Sequence, residues 1–117
     1  MTAKETLNAA RIARQNVERR KDGLKHLEEL RELTTGSQDL EELIETVSNE
    51  ISSMAETVTK AIYLIASVQN PGAIYLLWEY YINGAKNWSE AAKNCGYSKR
   101  HAMRLHAAAL KELEQCG

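Results

Sequence analysis

The chain has 117 residues, of which 44% are hydrophobic and 26% charged, and its formal net charge at pH 7 is −1. These values are close to those of an ordinary soluble protein, and the length suits one compact domain or a small domain with an extended arm. No apolar run approaches the roughly 20 residues that span a bilayer, and the stretch MTAKETLNAARIARQ lacks a signal-peptide core. We therefore expect a cytoplasmic protein without a membrane partner.

Charge is spread unevenly along the chain, although its net value is small. Residues 1–22 and residues 84–117 each carry six Lys/Arg against three Asp/Glu, whereas residues 23–83 carry three against ten. The basic ends favour a polyanionic partner. Only one proline and six glycines occur, and Leu, Ala, Glu, Lys and Arg dominate, which predicts an all-α fold.

A long first helix is predicted at the N-terminus. Thr2 and Glu5 have the spacing of a capping box, and residues 3–33 contain no proline. The apolar positions of this segment have helical spacing but little regularity: Leu7, Ala10, Ala13, Val17, Leu24, Leu27, Leu30 and Leu33. The stretch TTGSQ, Thr34 to Gln38, is a short turn linker centred on Gly36.

The second helix carries the most regular pattern of the chain. Its apolar residues alternate spacings of four and three, which is a heptad seam: Leu40, Ile44, Val47, Ile51, Met54, Val58, Ala61, Ile65 and Val68. Asp39 with Glu42 can form a capping box at its start, and Pro71 with Gly72 can stop it. A helix over residues 39–69 would be roughly 46 Å long and needs a partner helix.

Two long helices joined by so short a linker are expected to fold back as an antiparallel, coiled-coil-like hairpin over residues 1–70. The first helix has the weaker seam and leaves some apolar surface of the second helix uncovered. We therefore expect a homodimer through residues 39–69. The alternative is that the second helix packs only within its own monomer.

The C-terminal segment, residues 71–117, is predicted to form three shorter helices. The run GAIYLLWEYYINGAK reads as an amphipathic helix that ends at Asn83-Gly84. Its expected apolar face comprises Ile74, Leu77, Trp78, Tyr81 and Ile82. Trp88 is likewise expected to be a core aromatic rather than a surface for stacking bases.

The last two helices have the pattern of a helix-turn-helix. Asn87 can cap the helix WSEAAKN, with Glu90 at the reciprocal capping-box position. Gly96 follows where the turn requires a positive φ, and Ser98 can cap a final helix that runs to about residue 115. Ala92 suits the close approach of two helices, and Leu105 is expected to face the core.

Positive charge gathers at the start of this final helix. Arg100 and Arg104 are one turn apart, so both can reach one segment of a major groove, and arginine to guanine is the commonest specific base contact. The helix N-terminus and Ser98 suit a phosphate oxygen, although Ser98 can instead serve as a cap. The candidate DNA-binding residues are Ser98, Lys99, Arg100, His101, Met103 and Arg104. The helix over residues 98–115 is therefore the predicted recognition helix.

A family resemblance supports this interpretation. The stretch GYSKRHAMRLHAAALKEL aligns without gaps to the recognition-helix segment of region four of sigma-70-type factors. MTAKETLNAAR and LLWEYYINGAKNWSEAAKNCGYSKRHAMRLHAAALKEL resemble ArpU/RinA-like regulators, which are small phage and prophage proteins, many of unknown function. The resemblance implies a DNA-binding transcriptional regulator in which Lys99, Arg100, Met103 and Arg104 face bases or phosphates. This chain departs from the family pattern at Tyr80, where members often have arginine.

Other functions have less support in the sequence. The main alternative is a coiled-coil adaptor that docks on RNA polymerase or another regulator without binding DNA. No nucleophile–base pair or phosphate loop is present, so we expect neither an enzyme nor a cofactor. His101 and His106 do not share a helix face, and Cys95 and Cys116 are too few for a metal site, so no metal is expected and both thiols should be reduced. The cluster VERRKDG either contacts DNA backbone or keeps a helix solvated.

Overall fold

The computed structural model describes residues 2–116, and the side chains of residues 2–115. The predicted all-α class is confirmed, since every regular element among those residues is helical. The elements are α1 (Ala3–Leu33), α2 (Gln38–Ser67), α3 (Pro71–Leu77), a π turn that continues α3 (Trp78–Ile82), α4 (Trp88–Cys95) and α5 (Lys99–Cys116). Within the described chain, no helix is both long enough and apolar enough to cross a bilayer.

The N-terminal capping box of α1 is confirmed. The Thr2 hydroxyl oxygen accepts a hydrogen bond from the Glu5 amide at 3.1 Å, and the Glu5 carboxylate accepts one from the Thr2 amide at 3.4 Å. Two amides that have no partner inside the helix are thereby satisfied.

The predicted start of α2 is wrong by two residues. Ser37, rather than Asp39, is the N-cap, because its backbone is extended and its hydroxyl accepts from the Leu40 amide at 3.3 Å. Asp39 therefore lies inside the first turn, where its negative charge interacts favourably with the positive end of the helix dipole. Glu42 accepts instead from the Gln38 side chain at 3.3 Å.

The end of α2 also differs in detail from the prediction. The helix stops at Ser67, and Val68 is its C-cap with extended backbone. Pro71 does not act as the stop; it is the first residue of α3, whose N-cap Asn70 accepts from the Gly72 amide at 2.9 Å. Proline fits this position because the first helical residue needs no amide donor.

Helices α1 and α2 pack against each other along their lengths and run in opposite directions. Arg31 pairs with Glu41 at 2.8 Å near the linker, and Arg20 pairs with Glu50 at 2.9 Å further along. We call residues 3–17 and 58–68 the arm base, and residues 18–57 the arm tip. The molecule measures 56 × 29 × 16 Å along its principal axes, so the arm gives it an elongated shape.

The main hydrophobic core lies at the arm base and joins both arm helices to the C-terminal helices. We call it the base core. It contains Leu7, Ala10, Ala61, Ile65, Val68, Ala73, Leu77, Tyr81, Ile82, Ala109 and Leu113. Because α1, α2, α3, the π turn and α5 all contribute, residues 71–117 share their main core with the arm.

The buried face of the third predicted helix differs from the prediction. Leu77, Tyr81 and Ile82 are buried as predicted, but Trp78 is 41% exposed, so its assignment to the core is wrong. Ala73, Leu76, Leu77 and Tyr81 form the buried face, with ordinary helical spacings of three and four. At 100° per residue, Trp78 lies about 140° from Ala73 and therefore outside that face.

Candidate nucleic-acid interface

Local chemistry places α4 where the sequence predicts it. The Asn87 side chain accepts from the Glu90 amide at 2.9 Å, which confirms Asn87 as the N-cap. The predicted reciprocal bond is wrong, because the Glu90 carboxylate accepts from the Lys86 amide at 3.0 Å rather than from Asn87. The carboxylate thus holds the chain one residue before the cap.

The turn after α4 depends on Gly96, as predicted. Its φ is +78°, in the left-handed region where a side chain is strained. The Tyr97 amide donates to the Ala92 carbonyl at 2.8 Å, and the Gly96 amide donates to the Lys93 carbonyl at 3.1 Å. These two bonds form the closure typical of a glycine C-cap, and they reverse the chain before α5.

Ser98 starts α5. Its hydroxyl oxygen accepts from the His101 amide at 3.1 Å, and its carbonyl accepts from the Ala102 amide at 3.0 Å. Of the two predicted roles, the structure shows the cap. A hydroxyl that accepts one bond can still donate its proton to another oxygen, so the cap does not prevent a contact with phosphate.

A small core packs α4 against the first half of α5. We call it the alanine core; it contains Leu76, Ala85, Ala91, Ala92 and Ala102. Ala92 is 1% exposed, in keeping with its predicted place at a close helix contact. Leu105 packs against both the alanine core and the base core, so it faces inward as predicted.

The remaining face of α5 is open to solvent and basic. Ser98, Lys99, Arg100, His101 and Arg104 are all exposed. With 100° per residue, the side chains at 99, 100, 103 and 104 span an arc of about 140°, opposite the buried positions 102 and 109. The ion pairs among described residues all involve α1, so none engages Lys99, Arg100 or Arg104.

Two of the predicted site residues are more constrained than the others. Met103 is half-buried at the edge of the exposed face. The His101 ring meets the Tyr97 ring edge-on, with centroids 4.9 Å apart, so the turn holds this imidazole in place. The structure thus places Lys99, Arg100, Met103 and Arg104 on one arc of α5, whereas Ser98 and His101 lie beside that arc at the turn. Of the four, Lys99, Arg100 and Arg104 are exposed.

Arginines of α1 contribute contacts that the sequence pattern did not reveal. The Arg11 guanidinium lies over the Tyr80 ring, 3.9 Å from its centroid, and donates to the carbonyls of Tyr80 and Lys86, the latter at 3.1 Å. Arg14 donates to the Ile82 carbonyl at 3.3 Å. The arm base is therefore bound by its arginines to the π turn and to the segment that enters α4.

An aromatic stack continues from Tyr80 to α5. The Tyr80 and Trp88 rings are parallel within 8°, with centroids 3.8 Å apart, and the Trp88 ring lies 4.2 Å from the His106 ring. The Tyr81 hydroxyl and His106 Nε2 share a hydrogen bond of 2.8 Å. Trp88 is half-buried and packs against both cores, as predicted for a core aromatic.

Burial controls the ionisation of two groups in this stack. Burial, and secondarily the nearby Lys4 charge, lowers the pKa of His106 to about 4, so its imidazole is neutral at pH 7. Burial chiefly raises the pKa of the Tyr81 hydroxyl, which therefore stays protonated. His106 is thus a packing residue of α5 and adds no charge to the exposed basic face.

Cys95 packs against the alanine core, and burial raises the pKa of its thiol, with a smaller contribution from Glu79. A thiol of this kind is a weak nucleophile at neutral pH. The prediction for the Cys116 thiol lies outside the described side chains. Over the described residues, no group of three or more His, Cys, Asp or Glu is arranged to hold a metal ion.

The chain matches no protein-family model, and neither the curated proteins nor the solved structures contain a significant match to it.

Proposed function

We propose that the protein is a sequence-specific, double-stranded-DNA-binding transcriptional regulator of phage or prophage origin. In this proposal α4, the turn Gly96–Ser98 and α5 form a helix-turn-helix unit at the end of a helical hairpin arm. The observation that carries it is the exposed basic face at the start of α5, whose opposite face is anchored in two cores. A rigid helix with one basic face is the element that a major groove admits.

The proposed contacts follow from the position of each side chain. Arg100 and Arg104, one turn apart, read base edges, and arginine does so best through two hydrogen bonds to guanine. Lys99 and the amides at the start of α5 bind phosphate, with the Ser98 hydroxyl as a further donor. Met103 contacts a thymine methyl group or a sugar at the edge of the groove.

We further propose that two copies bind DNA together through α2. In the arm tip the seam residues Leu40, Val47, Ile51 and Met54 are only half-buried, although they continue the pattern that is buried at the base. A second copy would cover them and hold two α5 helices together. Half-sites would then lie about 34 Å apart, or a multiple of that distance.

The direct test is selection of bound sequences from a pool of random duplexes, followed by affinity measurements on the selected site. Wild type should enrich a short motif, most clearly at guanines. Replacing Arg104 by alanine should cost about 1–3 kcal/mol on that site and relax preference at one position, if the side chain reads a base. The triple variant Lys99→Ala, Arg100→Ala, Arg104→Ala should lose both the motif and most of the affinity.

The control replaces three cations of the arm, Lys25, Arg31 and Lys60, by alanine. It removes the same charge far along the chain from α5, so its affinity should remain close to that of wild type. If the α5 variant binds DNA as tightly as wild type, the proposed interface is wrong.

A second candidate is an adaptor that docks on RNA polymerase or another regulator. Large apolar side chains exposed on the arm and on α3 favour it: Leu33 is 82% exposed, Tyr63 76% and Tyr75 66%. A docking partner would bury such side chains. A chain that ignores duplex DNA at low salt but binds a purified polymerase subunit would favour the adaptor.

A further inference from the structure

Arg11 of α1 contacts the π turn and the loop before α4, both of which are distant from it in sequence. It lies in the third turn of α1, and its guanidinium donates to the carbonyl of Tyr80 in the π turn and to that of Lys86 in the loop just before α4. Tyr80 and Lys86 follow Arg11 by 69 and 75 positions in the chain. One side chain of the arm therefore holds the entrance to α4.

The π turn explains why arginines are needed there. Its closing backbone bonds run from the Asn83 amide to the Trp78 carbonyl and from the Ala85 amide to the Glu79 carbonyl. The carbonyls of Tyr80 and Ile82 instead accept from Arg11 and Arg14. A cation suits this position because the C-terminal end of a helix carries partial negative charge.

A chain of ring contacts, which we call the stack, connects Arg11 with α5. The guanidinium lies 3.9 Å from the Tyr80 ring, Tyr80 lies 3.8 Å from Trp88, and Trp88 lies 4.2 Å from His106. His106 follows Arg104 by two residues in α5. The stack thus crosses from the arm through the π turn and α4 to the basic helix.

The two halves of α5 are anchored differently. Its second half enters the base core through Ala109 and Leu113, together with large side chains of the arm. Its first half and α4 meet in the alanine core, where Leu76 is the only large member among the buried residues of that cluster. Alanines give little interdigitation, so the direction of α4 and of the first half of α5 depends on the larger side chains around them. Tyr80 and Trp88 of the stack are two of these, beside Tyr97 and Leu105.

We propose that Arg11 is a positioning residue for DNA binding: it fixes the direction of the basic helix relative to the arm and thereby the half-site spacing that a dimer accepts. The inference rests on the proposed function. Arg11 itself need not contact DNA, because its guanidinium is already engaged by two carbonyls and a ring.

Lysine is the informative replacement at this position. It keeps the charge and most of the stem, but a single ammonium cannot bond to both carbonyls while lying flat on the Tyr80 ring. The variant Arg11→Lys should therefore stay folded and lose the positioning. Arg31→Lys is the matched control, because Arg31 lies in the same helix and bonds only to Glu41 within the arm.

The experiment measures affinity on three duplexes built from the selected motif: one half-site, two half-sites at the preferred spacing, and two half-sites about 5 bp further apart, half a helical turn. Wild type and Arg31→Lys should bind two half-sites at the preferred spacing about tenfold or more tightly than two half-sites at the longer spacing. At the longer spacing only one subunit of the dimer can reach its half-site. Arg11→Lys should reduce that preference to about threefold or less. Its affinity for one half-site should stay within about twofold of wild type, and circular dichroism should show unchanged helix content.

The outcomes separate the two proposals. A variant Arg11→Lys that keeps the wild-type spacing preference would overturn the inference alone. So would an equal loss of affinity on one half-site and on two, because Arg11 would then support the fold or touch DNA directly. A wild-type protein that binds no duplex would overturn both the inference and the proposed function.

Discussion

The base and the tip of the arm share one sequence pattern but differ in burial. The heptad seam runs without interruption from Leu40 to Val68, yet Ala61, Ile65 and Val68 are at most 3% exposed, while Ile44 is the one buried residue between positions 18 and 57. The base is covered by α3, the π turn and α5, whereas two helices at the tip have only each other. Periodicity therefore identifies the apolar face of a helix, and the number of packed layers decides how deeply that face is buried.

The largest expected difference between the two regions comes from one substitution made in both. Leu7→Ala at the base should lower the free energy of unfolding by about 3–5 kcal/mol, because Leu7 is fully buried and its removal leaves a cavity. Leu27→Ala at the tip should cost only about 1 kcal/mol, since Leu27 is half-buried and solvent can fill the space. Urea unfolding at low protein concentration measures both. Equal costs would show that the tip is covered as well as the base.

A variant in the α2 seam can reveal a dimer. If a second copy covers that seam, the cost of Ile51→Ala at the tip should rise with protein concentration, while the cost of Leu7→Ala should not. Sedimentation of wild type over the same range supplies the reference.

The next largest effect is a pH dependence of stability that comes from His106, the α5 residue bonded to Tyr81 in the base core. The pKa of His106 is lowered from 6.5 to about 4 in the folded protein, so the folded state resists protonation more than the unfolded state does. The contribution of His106 to the free energy of unfolding is fully present above pH 6.5 and is lost as pH falls from there towards 4. The loss in the free energy of unfolding should be about 2 kcal/mol, a value reduced for the partial exposure of the ring.

The variant His106→Gln isolates that contribution. Carboxylates titrate alike in both proteins, so the difference between their stability curves reports on the imidazole. The wild-type curve should fall more steeply than the variant curve between pH 6.5 and 4. Parallel curves over that interval would mean that His106 is accessible to protons in the folded state.

Two glycines sharpen the comparison between the tip and the turn before α5. Gly96 has a φ of +78°, so Gly96→Ala should destabilise the protein by about 1–2 kcal/mol. Gly23 lies in helical backbone of the tip with open space around it, so Gly23→Ala should stabilise by about 0.5–1 kcal/mol. Thermal unfolding gives both signs in one experiment. A stabilising Gly96→Ala would refute the turn geometry on which the direction of α5 depends.

The smallest expected effect concerns the ion pair at the end of the tip. Arg31 and Glu41 make two contacts, at 2.8 and 2.9 Å, but both side chains are about half exposed. A double-mutant cycle should give a coupling of about 0.5 kcal/mol that decreases with added salt. A coupling several times larger would indicate that the tip is shielded from solvent by a partner.

Much of the candidate site could be predicted because its determinants are local. Caps and turns depend on residues within four or five positions, so Thr2, Asn87, Gly96 and Ser98 could be assigned from their neighbours alone. The outward direction of Lys99, Arg100 and Arg104 follows from helical periodicity once Ala102 and Leu105 are placed inside.

The errors and omissions have physical causes. Ser37 and Asp39 are both good caps, and choosing between them depends on where the linker bends, which local sequence does not specify. Trp78 lies outside the core because the buried face is centred on Ala73, Leu76 and Leu77, whereas the apolar pattern of this run also fits a face that contains Ile74 and Trp78. Arg11 contacts the carbonyls of Tyr80 and Lys86, which are 69 and 75 positions away from it in the chain. These carbonyls come within its reach only in the folded protein.

The salt dependence of DNA affinity tests the central claim most directly. With wild type, the logarithm of the association constant should fall linearly with the logarithm of salt concentration. Replacing Lys99, Arg100 and Arg104 together by alanine should reduce the magnitude of that slope by about 1, because Lys99 is the proposed phosphate contact among the three and each such contact contributes about 0.9. Replacing Lys25, Arg31 and Lys60 should leave the slope unchanged. Equal slopes for wild type and the α5 variant would contradict the account, because the side chains on the exposed face of α5 would then supply no phosphate contact.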